Sequence, residues 1–219
     1  FFILLSIIGL IKIVSTLNLN KIEVIGLERI SEEEIIKMTH DFVWFKLGES
    51  SYFYHFLGGE NLIIWRWINW EDFTKKDPRL ASANIIVNFL EKKVAVHIKE
   101  REPYALLCNN FTNQCFWFDD LGNITSPAPN FSGKIVFRVE NNSDDYIKIG
   151  NPILRDQNLK NNLLSVLEFL KMNEIIIDKV IIENINRAEA RAEIYKEDGH
   201  GPTLYFSLRS EPTWAKEIF

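Results

Sequence analysis

The residues best suited to chemistry are two cysteines, Cys108 and Cys115, separated by the polar segment NNFTNQ. Apolar runs flank this segment on both sides, which is typical of a β-hairpin with a short loop. Opposed cysteines on paired strands can come within bonding distance, so we expect a structural disulfide. A zinc site would need two further ligands, and a redox pair would need the spacing C-x-x-C. The four histidines are remote in sequence: His40, His55, His97 and His200.

Two pairs of adjacent carboxylates could act as an acid and a base or bind calcium. Asp119–Asp120 precedes Gly122, and Asp144–Asp145 follows an Asn-Asn-Ser run, so both pairs stand beside residues that favour turns. Turn capping is therefore the preferred interpretation. The sequence contains no G-x-S-x-G, P-loop, G-x-G-x-x-G or H-E-x-x-H motif. We predict that the chain is not an enzyme and has no cofactor or metal site.

The composition is that of an ordinary globular protein. The chain has 219 residues, of which 47% are hydrophobic and 25% charged, and it is long enough for one or two domains with cores of their own. Its net charge is −5, and no basic run is longer than Lys92–Lys93. Because phosphate neutralisation needs a basic face, we expect no nucleic-acid partner.

The start of the chain is apolar. Only two small residues interrupt the run from Phe1 to Ile11, and Lys12 could extend its ammonium group to the lipid headgroups. A membrane span needs about 20 apolar residues, so we interpret residues 1–19 as a transmembrane anchor truncated at its N-terminus. A signal-peptide core and a buried helix are the alternatives. With the anchor, the remaining chain lies outside the membrane, where disulfides form.

The next part, residues 20–102, predicts a small α/β domain. Residues 21–26 alternate as a half-buried strand does, and Ser31 with Glu34 forms a capping box at the start of a helix. Residues 83–89 and 93–99 predict a β-hairpin whose second strand has a mostly basic solvent face. The aromatic-rich segment 42–73 is interpreted either as a short helix and linking strand packed on the core or as a surface facing a membrane or a partner.

The last part, residues 103–219, predicts a β-rich domain with helices, truncated at its C-terminus. Residues 159–172 have leucines at core spacing for a helix, residues 123–133 contain two prolines and a glycine and predict a loop, and residues 211–219 begin a final helix. Strands are predicted over residues 104–107, 115–119, 135–139, 175–182, 188–195 and 203–208. The predicted fold class of the whole chain is α+β.

Two long segments resemble a known family. KIEVIGLERISEEEI and DPRLASANIIVNFLEKKVAVHIKEREPYALL are similar to the βαββ POTRA module (polypeptide-transport-associated domain) of the FtsQ/DivIB family of bacterial cell-division proteins. The CFWFDDLGNI stretch resembles the next strand and turn of that family, at Asp119 and Gly122. The cysteine pair and the long aromatic segment depart from the family pattern. The positions that match the POTRA pattern are Gly26, Ser31, Pro78, Ala83, Glu100, Arg101, Pro103 and Ala105.

The resemblance implies a single-pass protein of the inner membrane at the division septum, a scaffold that recruits and regulates septal wall synthesis. Its second domain would bind coiled-coil partners of the FtsB/FtsL type, and the lipid bilayer would hold its anchor. The family's main partner-binding strand follows the final helix, beyond the end of this sequence, and residues 203–208 would lie next to that strand. The partner-binding residues implied here are Thr203, Leu204, Tyr205, Phe206, Ser207 and Leu208.

Three other functions remain open at this point. A POTRA-bearing component of outer-membrane assembly or secretion would carry tandem POTRA repeats and a barrel pattern. An extracytoplasmic enzyme would need clustered acids or metal ligands in a cleft. An adhesion ectodomain would be glycosylated at the four N-x-S/T matches in the sequence.

Overall fold

A computed structural model of the chain describes residues 16–48, 58–130, 136–142, 147–196 and 201–210. The chain divides into two compact units, Phe1–Glu100 and Arg101–Phe219. The described part is α+β, mostly β, with three α-helices. None of these helices is long and apolar enough to cross a membrane. Most of the predicted anchor, residues 1–15, and the predicted final helix, residues 211–219, lie outside the described residues.

The first unit contains a three-stranded mixed sheet in the order β1-β3-β2, with β1 parallel to β3 and β2 antiparallel to it. Two helices precede β2, and the second lies within the aromatic segment, where the interpretation of that segment as core-packed included a short helix. The elements are β1 (Lys21–Ile25), α1 (Glu32–Gly48), α2 (Leu62–Trp67), a 3-10 turn (Phe73–Lys76), β2 (Leu80–Asn88) and β3 (Lys93–Glu100).

Helix α1 begins where the capping pattern predicted. The Oγ atom of Ser31 accepts the N–H of Glu34 (3.2 Å), which satisfies one of the free donors of the first turn. The carboxylate of Glu34 forms a salt bridge with Arg79, which directly precedes β2. Glu34 thus links the first turn of α1 to a distant part of the first unit. Strand β3 alternates buried Val94 and Val96 with more exposed neighbours, as its sequence pattern predicted.

The core of the first unit takes up much of the aromatic segment. Phe42 and Trp65 are fully buried, and the Trp65 indole N–H donates to the Gly59 carbonyl (2.8 Å). The Trp70 ring stacks on Phe42 with centroids 5.3 Å apart. These contacts support the interpretation of this part of the segment as a helix packed on the core, but a 3-10 turn follows the helix where a linking strand was predicted. Trp44 is more than half exposed and does not belong to the core.

A buried carboxylate holds the loop between β1 and α1. Glu100, the last residue of β3, accepts the backbone N–H groups of Glu28 (2.8 Å), Arg29 (3.0 Å) and Ile30 (3.1 Å). Burial alone raises the pKa of Glu100, but these hydrogen bonds and the Arg29 side chain outweigh it, so the pKa lies below its ordinary value.

The end of the predicted anchor, residues 17–19, makes backbone hydrogen bonds within the first unit. The N–H of Leu19 donates to the Glu60 carbonyl (2.7 Å), and the N–H of Leu62 donates to the Leu17 carbonyl (2.9 Å). Residues 17–19 therefore belong to the folded first unit, since their backbone bonds are made there.

The second unit contains a seven-stranded sheet in the order β10-β9-β8-β7-β4-β5-β6. The pairs β7–β8 and β4–β7 are parallel, and the other pairs are antiparallel. The elements are β4 (Ala105–Asn109), β5 (Gln114–Phe118), β6 (Ile124–Ala128), β7 (Arg138–Asn141), α3 (Gln157–Met172), β8 (Ile177–Asn184), β9 (Glu189–Ile194) and β10 (Thr203–Ser207).

Two predictions for the second unit were wrong. The segment 123–133, predicted as a loop, contributes strand β6, and the strand predicted over residues 135–139 begins only at Arg138. Helix α3 covers one face of the sheet, where Leu163, Leu167 and Leu170 are buried as its spacing predicted. The start of the unit at Arg101 lies two residues before the predicted border.

Candidate partner-binding edge

Strand β10 is the last strand of the seven-stranded sheet among the residues that the structure describes. It pairs with β9 in an antiparallel register that sets Leu204 opposite Ala192 and Phe206 opposite Ala190. At the two ends of the pairing, the N–H of Ile194 donates to the Pro202 carbonyl (3.0 Å), and the N–H of Leu208 donates to the Ala188 carbonyl (2.7 Å).

This register determines which backbone groups face outward. In an antiparallel pair, every second residue bonds to the neighbouring strand with both its N–H and its C=O. Since Pro202 and Leu208 bond to β9, Leu204 and Phe206 do so as well. The N–H and C=O groups of Thr203, Tyr205 and Ser207 therefore point away from β9. No strand of the described chain pairs with this side, so three donors and three acceptors line an open edge.

The side chains of β10 alternate between the two faces of the sheet. Leu204 and Phe206 pack on the core beneath α3, while Tyr205 lies on the opposite face and is 65% exposed. A hydrogen bond with Tyr205 is the main reason that the pKa of Arg191 is raised, and Glu183 and Glu193 act in the same direction. Tyr205 stands opposite Arg191 of the neighbouring strand.

The end of the edge strand is fixed from inside the unit. Leu208, the last of the predicted partner-binding residues, follows the strand and is fully buried. Its carbonyl accepts the side-chain N–H of Asn162 on α3 (2.7 Å). The buried amide of Asn162 thus ties the end of β10 to the helix, which makes the edge a defined surface.

A network of charged side chains crosses the face opposite α3. Glu140 on β7 is only 5% exposed and pairs with Arg138 (3.0 Å) and Lys179 (3.1 Å). The side-chain N–H of Asn110 also donates to it (3.1 Å). Burial raises the pKa of Glu140, but Asn110, Lys179 and Arg138 together lower it below its ordinary value. The sequence signal for this network is the alternation of charged residues with apolar ones in β7 and β9, which we did not single out.

The predicted cysteine pair lies on neighbouring strands β4 and β5. Cys108 and Cys115 stand directly opposite each other and form a disulfide, with Cα atoms 4.1 Å apart. Both cysteines are buried with Leu106 on the face of the sheet opposite α3. The placement agrees with a structural crosslink of the hairpin.

In the first carboxylate pair, Asp119 has a structural role. The carboxylate of Asp119 is buried and accepts the backbone N–H groups of Leu121 (3.1 Å) and Asn123 (2.6 Å), and it pairs with Arg101 (2.6 Å). Its acceptor sites are therefore used by the turn, as predicted. The second pair, Asp144–Asp145, lies outside the described residues. Among the residues that were placed, no group of three or more His, Cys, Asp or Glu side chains could hold a metal ion.

No protein-family model matches the chain, and no curated protein is similar to it in sequence.

Proposed function

We propose that this chain is a membrane-anchored scaffold of bacterial cell division, with its two units outside the membrane, that binds other division proteins through a strand edge. The observation that carries the binding role is the open edge of β10, where Thr203, Tyr205 and Ser207 present backbone groups outward. An extended segment of a partner can complete such an edge with main-chain hydrogen bonds.

Two further observations support the family assignment within this proposal. The first unit has the order β-α-α-β-β with β1 parallel to β3, which is compatible with a POTRA-type module. The resemblance of residues 21–35 and 77–107 to the FtsQ/DivIB pattern includes Glu100, and this residue binds the loop that the opening strand and Ser31 enclose. The partners would be coiled-coil division proteins of the FtsB/FtsL type.

The proposal predicts the position of the protein in dividing cells. A fluorescent fusion of the full-length protein, expressed in its source organism, should form a band at the constriction site. A fusion that carries residues 1–19 alone is the control and should label the envelope uniformly. A uniform envelope signal from the full-length fusion throughout the cell cycle would contradict the proposal.

A second experiment tests the binding role separately. The full-length protein should retain coiled-coil division proteins when it is isolated from detergent-solubilised membranes. Retention of these proteins without a septal band would leave the scaffold role and reject the proposed position. A septal band without retained partners would reject the binding role.

A further inference from the structure

One end of the first unit contains residues 17–21, through which the chain enters the unit, and several exposed apolar side chains. The backbone N–H of Asn20 donates to the Lys92 carbonyl (2.8 Å), so the turn between β2 and β3 lies beside the start of β1. This turn carries Phe89, which is 39% exposed, and Leu90, which is 96% exposed. We call this end of the unit, formed by residues 17–21, 44, 59–60 and 89–93, the basal end.

Helix α1 brings a third apolar side chain to the basal end. A Cβ atom added at Gly59 would lie 2.9 Å from Cε2 of Trp44, so the indole packs directly on the Gly59 backbone. The next residue, Glu60, accepts the N–H of Leu19 (2.7 Å). Trp44 is nevertheless 54% exposed. A tryptophan that is half packed and half exposed is typical of a membrane–water interface.

The basal end carries three lysines, whereas the first turn of α1 at the opposite end carries none. The basal end carries Lys21, Lys92 and Lys93, with Glu91 paired to Lys93 (2.7 Å) and Glu60 as a further acidic residue. At the opposite end, where α1 begins, three consecutive glutamates occupy the first turn: Glu32, Glu33 and Glu34. Between Glu33 and Trp44 the helix advances about 16 Å. Each lysine near an anionic lipid surface strengthens binding to the membrane about fivefold.

The position of the apolar run in the sequence indicates that the partner of this surface is a lipid bilayer. The apolar run of the sequence ends at Val14, only three residues before Leu17, and three residues span at most about 10 Å. The polar headgroup layer on each side of a bilayer is about 5–7 Å thick. If the run lies in the bilayer, as the proposed function assumes, the basal end is held at the headgroup layer.

We infer that the basal end is a lipid-contacting surface, in which Trp44, Phe89 and Leu90 enter the headgroup layer of an anionic bilayer while Lys21 and Lys92 bind its phosphates. This contact would fix the orientation of the first unit on the membrane. It rests on the proposed membrane anchor and adds a second attachment, which the anchor alone does not provide.

The test uses the full chain in lipid nanodiscs of phosphatidylcholine with phosphatidylglycerol. An environment-sensitive fluorophore is attached to a cysteine introduced by Leu90→Cys or, as the control, by Glu33→Cys at the opposite end. Cys108 and Cys115 are joined in a disulfide and do not react with the thiol reagent. Because Leu90 is almost fully exposed, its replacement leaves the fold intact.

The fluorophore at position 90 should shift its emission to the blue and be quenched by lipids with a nitroxide on the upper acyl chain. The fluorophore at position 33 should show neither change. Replacing phosphatidylglycerol with phosphatidylcholine should weaken the quenching at position 90. Quenching only by a headgroup nitroxide would mean nearness without insertion, and together with an unshifted emission it would overturn the inference.

Failure of the inference can be distinguished from failure of the anchor. Resistance of the membrane-bound chain to extraction by alkaline carbonate reports on the anchor alone, because carbonate releases proteins that are held only by surface contacts, whereas flotation with liposomes reports on either attachment. A chain that floats but is not quenched at position 90 keeps the anchor and rejects the lipid-contacting basal end. A chain that does not float rejects both.

Discussion

The two edge strands of the seven-stranded sheet, β6 and β10, differ in how their outer backbone groups are covered. On one side, β6 is covered along its first half, where the N–H of Ile124 donates to the Asn151 carbonyl (2.9 Å) and the N–H of Gly150 donates to the Ile124 carbonyl (2.8 Å). Its second half contains Pro127, which has no N–H to offer. On the other side, β10 contains no proline, and no strand of the described chain pairs with the side of β10 that points away from β9.

This difference indicates which edge is available to a partner. Proteins commonly protect sheet edges with covering segments, prolines or charges, because an open edge invites pairing with other chains. Among the residues that the structure describes, such protection is present at β6, whereas none covers the outer side of β10, although both strands belong to one sheet. Substitutions that alter the outward N–H groups of β10 therefore test whether a partner binds at this edge.

The largest expected effect comes from the middle of the sheet and should affect both edges alike. Glu140→Gln removes the buried charge that Arg138 and Lys179 share, and the loss of one partner of a buried ion pair should lower the free energy of unfolding of the second unit by about 3 kcal/mol. Hydrogen exchange of the β8 and β9 amides measures this stability without interference from the first unit.

The same carboxylate should make the stability of the second unit depend on pH. The pKa of Glu140 is lowered in the folded state, so its contribution is complete above the ordinary glutamate pKa and is lost as the pH falls through the lowered value. The Gln variant should therefore differ most from the wild type at neutral pH and least in acid. Glu189→Gln, at an exposed position of β9, is the control and should change stability by less than about 0.5 kcal/mol.

The next effect separates the backbone of β10 from its side chains. Tyr205→Pro removes an N–H that points away from β9 while leaving the bonds between β9 and β10 in place. If a partner strand pairs there, the loss leaves its acceptor unsatisfied, and binding should weaken about 5- to 150-fold, or about 1–3 kcal/mol. Calorimetric titration of the full-length variant with the retained coiled-coil partner measures this change.

Tyr205→Val is the matched variant, because it removes the phenol and its contact with Arg191 but keeps the backbone N–H. It should lose much less affinity than the proline variant. Equal losses in the two variants would assign the contact to the side chain and would remove the distinction between the two edges.

A smaller effect concerns how the end of β10 is held. Asn162→Ala leaves the buried Leu208 carbonyl without its donor, which should destabilise this region by about 1–2 kcal/mol. The amides of β10 should then exchange faster, while those of β5 and β6 stay unchanged. Asn161→Ala, one residue earlier on α3 and exposed, should leave both edges as they are. Faster exchange at both edges in the Asn162 variant would show that the helix stabilises the whole sheet equally.

The sequence predicted individual helices and strands but not how the strands pair within the sheets. Alternating residues predicted β3, and the Ser31 cap predicted the start of α1, because both patterns depend on neighbours within a few residues. The parallel pairing of β7 with β4 and β8 depends on contacts between distant segments. No pattern within the sequence predicts such a register.

The missed strand β6 and the outward groups of β10 have a common explanation. Pro127 and its neighbours are typical of loops, and only the position of β6 at a covered edge allows a proline within a strand. The outward direction of the Tyr205 backbone follows from hydrogen bonds at Pro202 and Leu208. Segment 203–208 was predicted as a strand, but the free side of that strand is determined by the order of the whole sheet.

The smallest effect should come from restoring the missing donor at the protected edge. Pro127→Thr gives β6 a backbone N–H at an exposed position, yet the segment from Gly150 to Ile153 still covers the first half of the strand. Partner affinity should stay within about a factor of two, since surface substitutions usually change free energies by less than about 0.5 kcal/mol. Self-association, followed by sedimentation velocity, should rise only slightly. Pro129→Thr, just beyond the strand, controls for the change in composition. A strong rise in self-association for Pro127→Thr alone would mean that one proline, and not the covering segment, is what closes this edge.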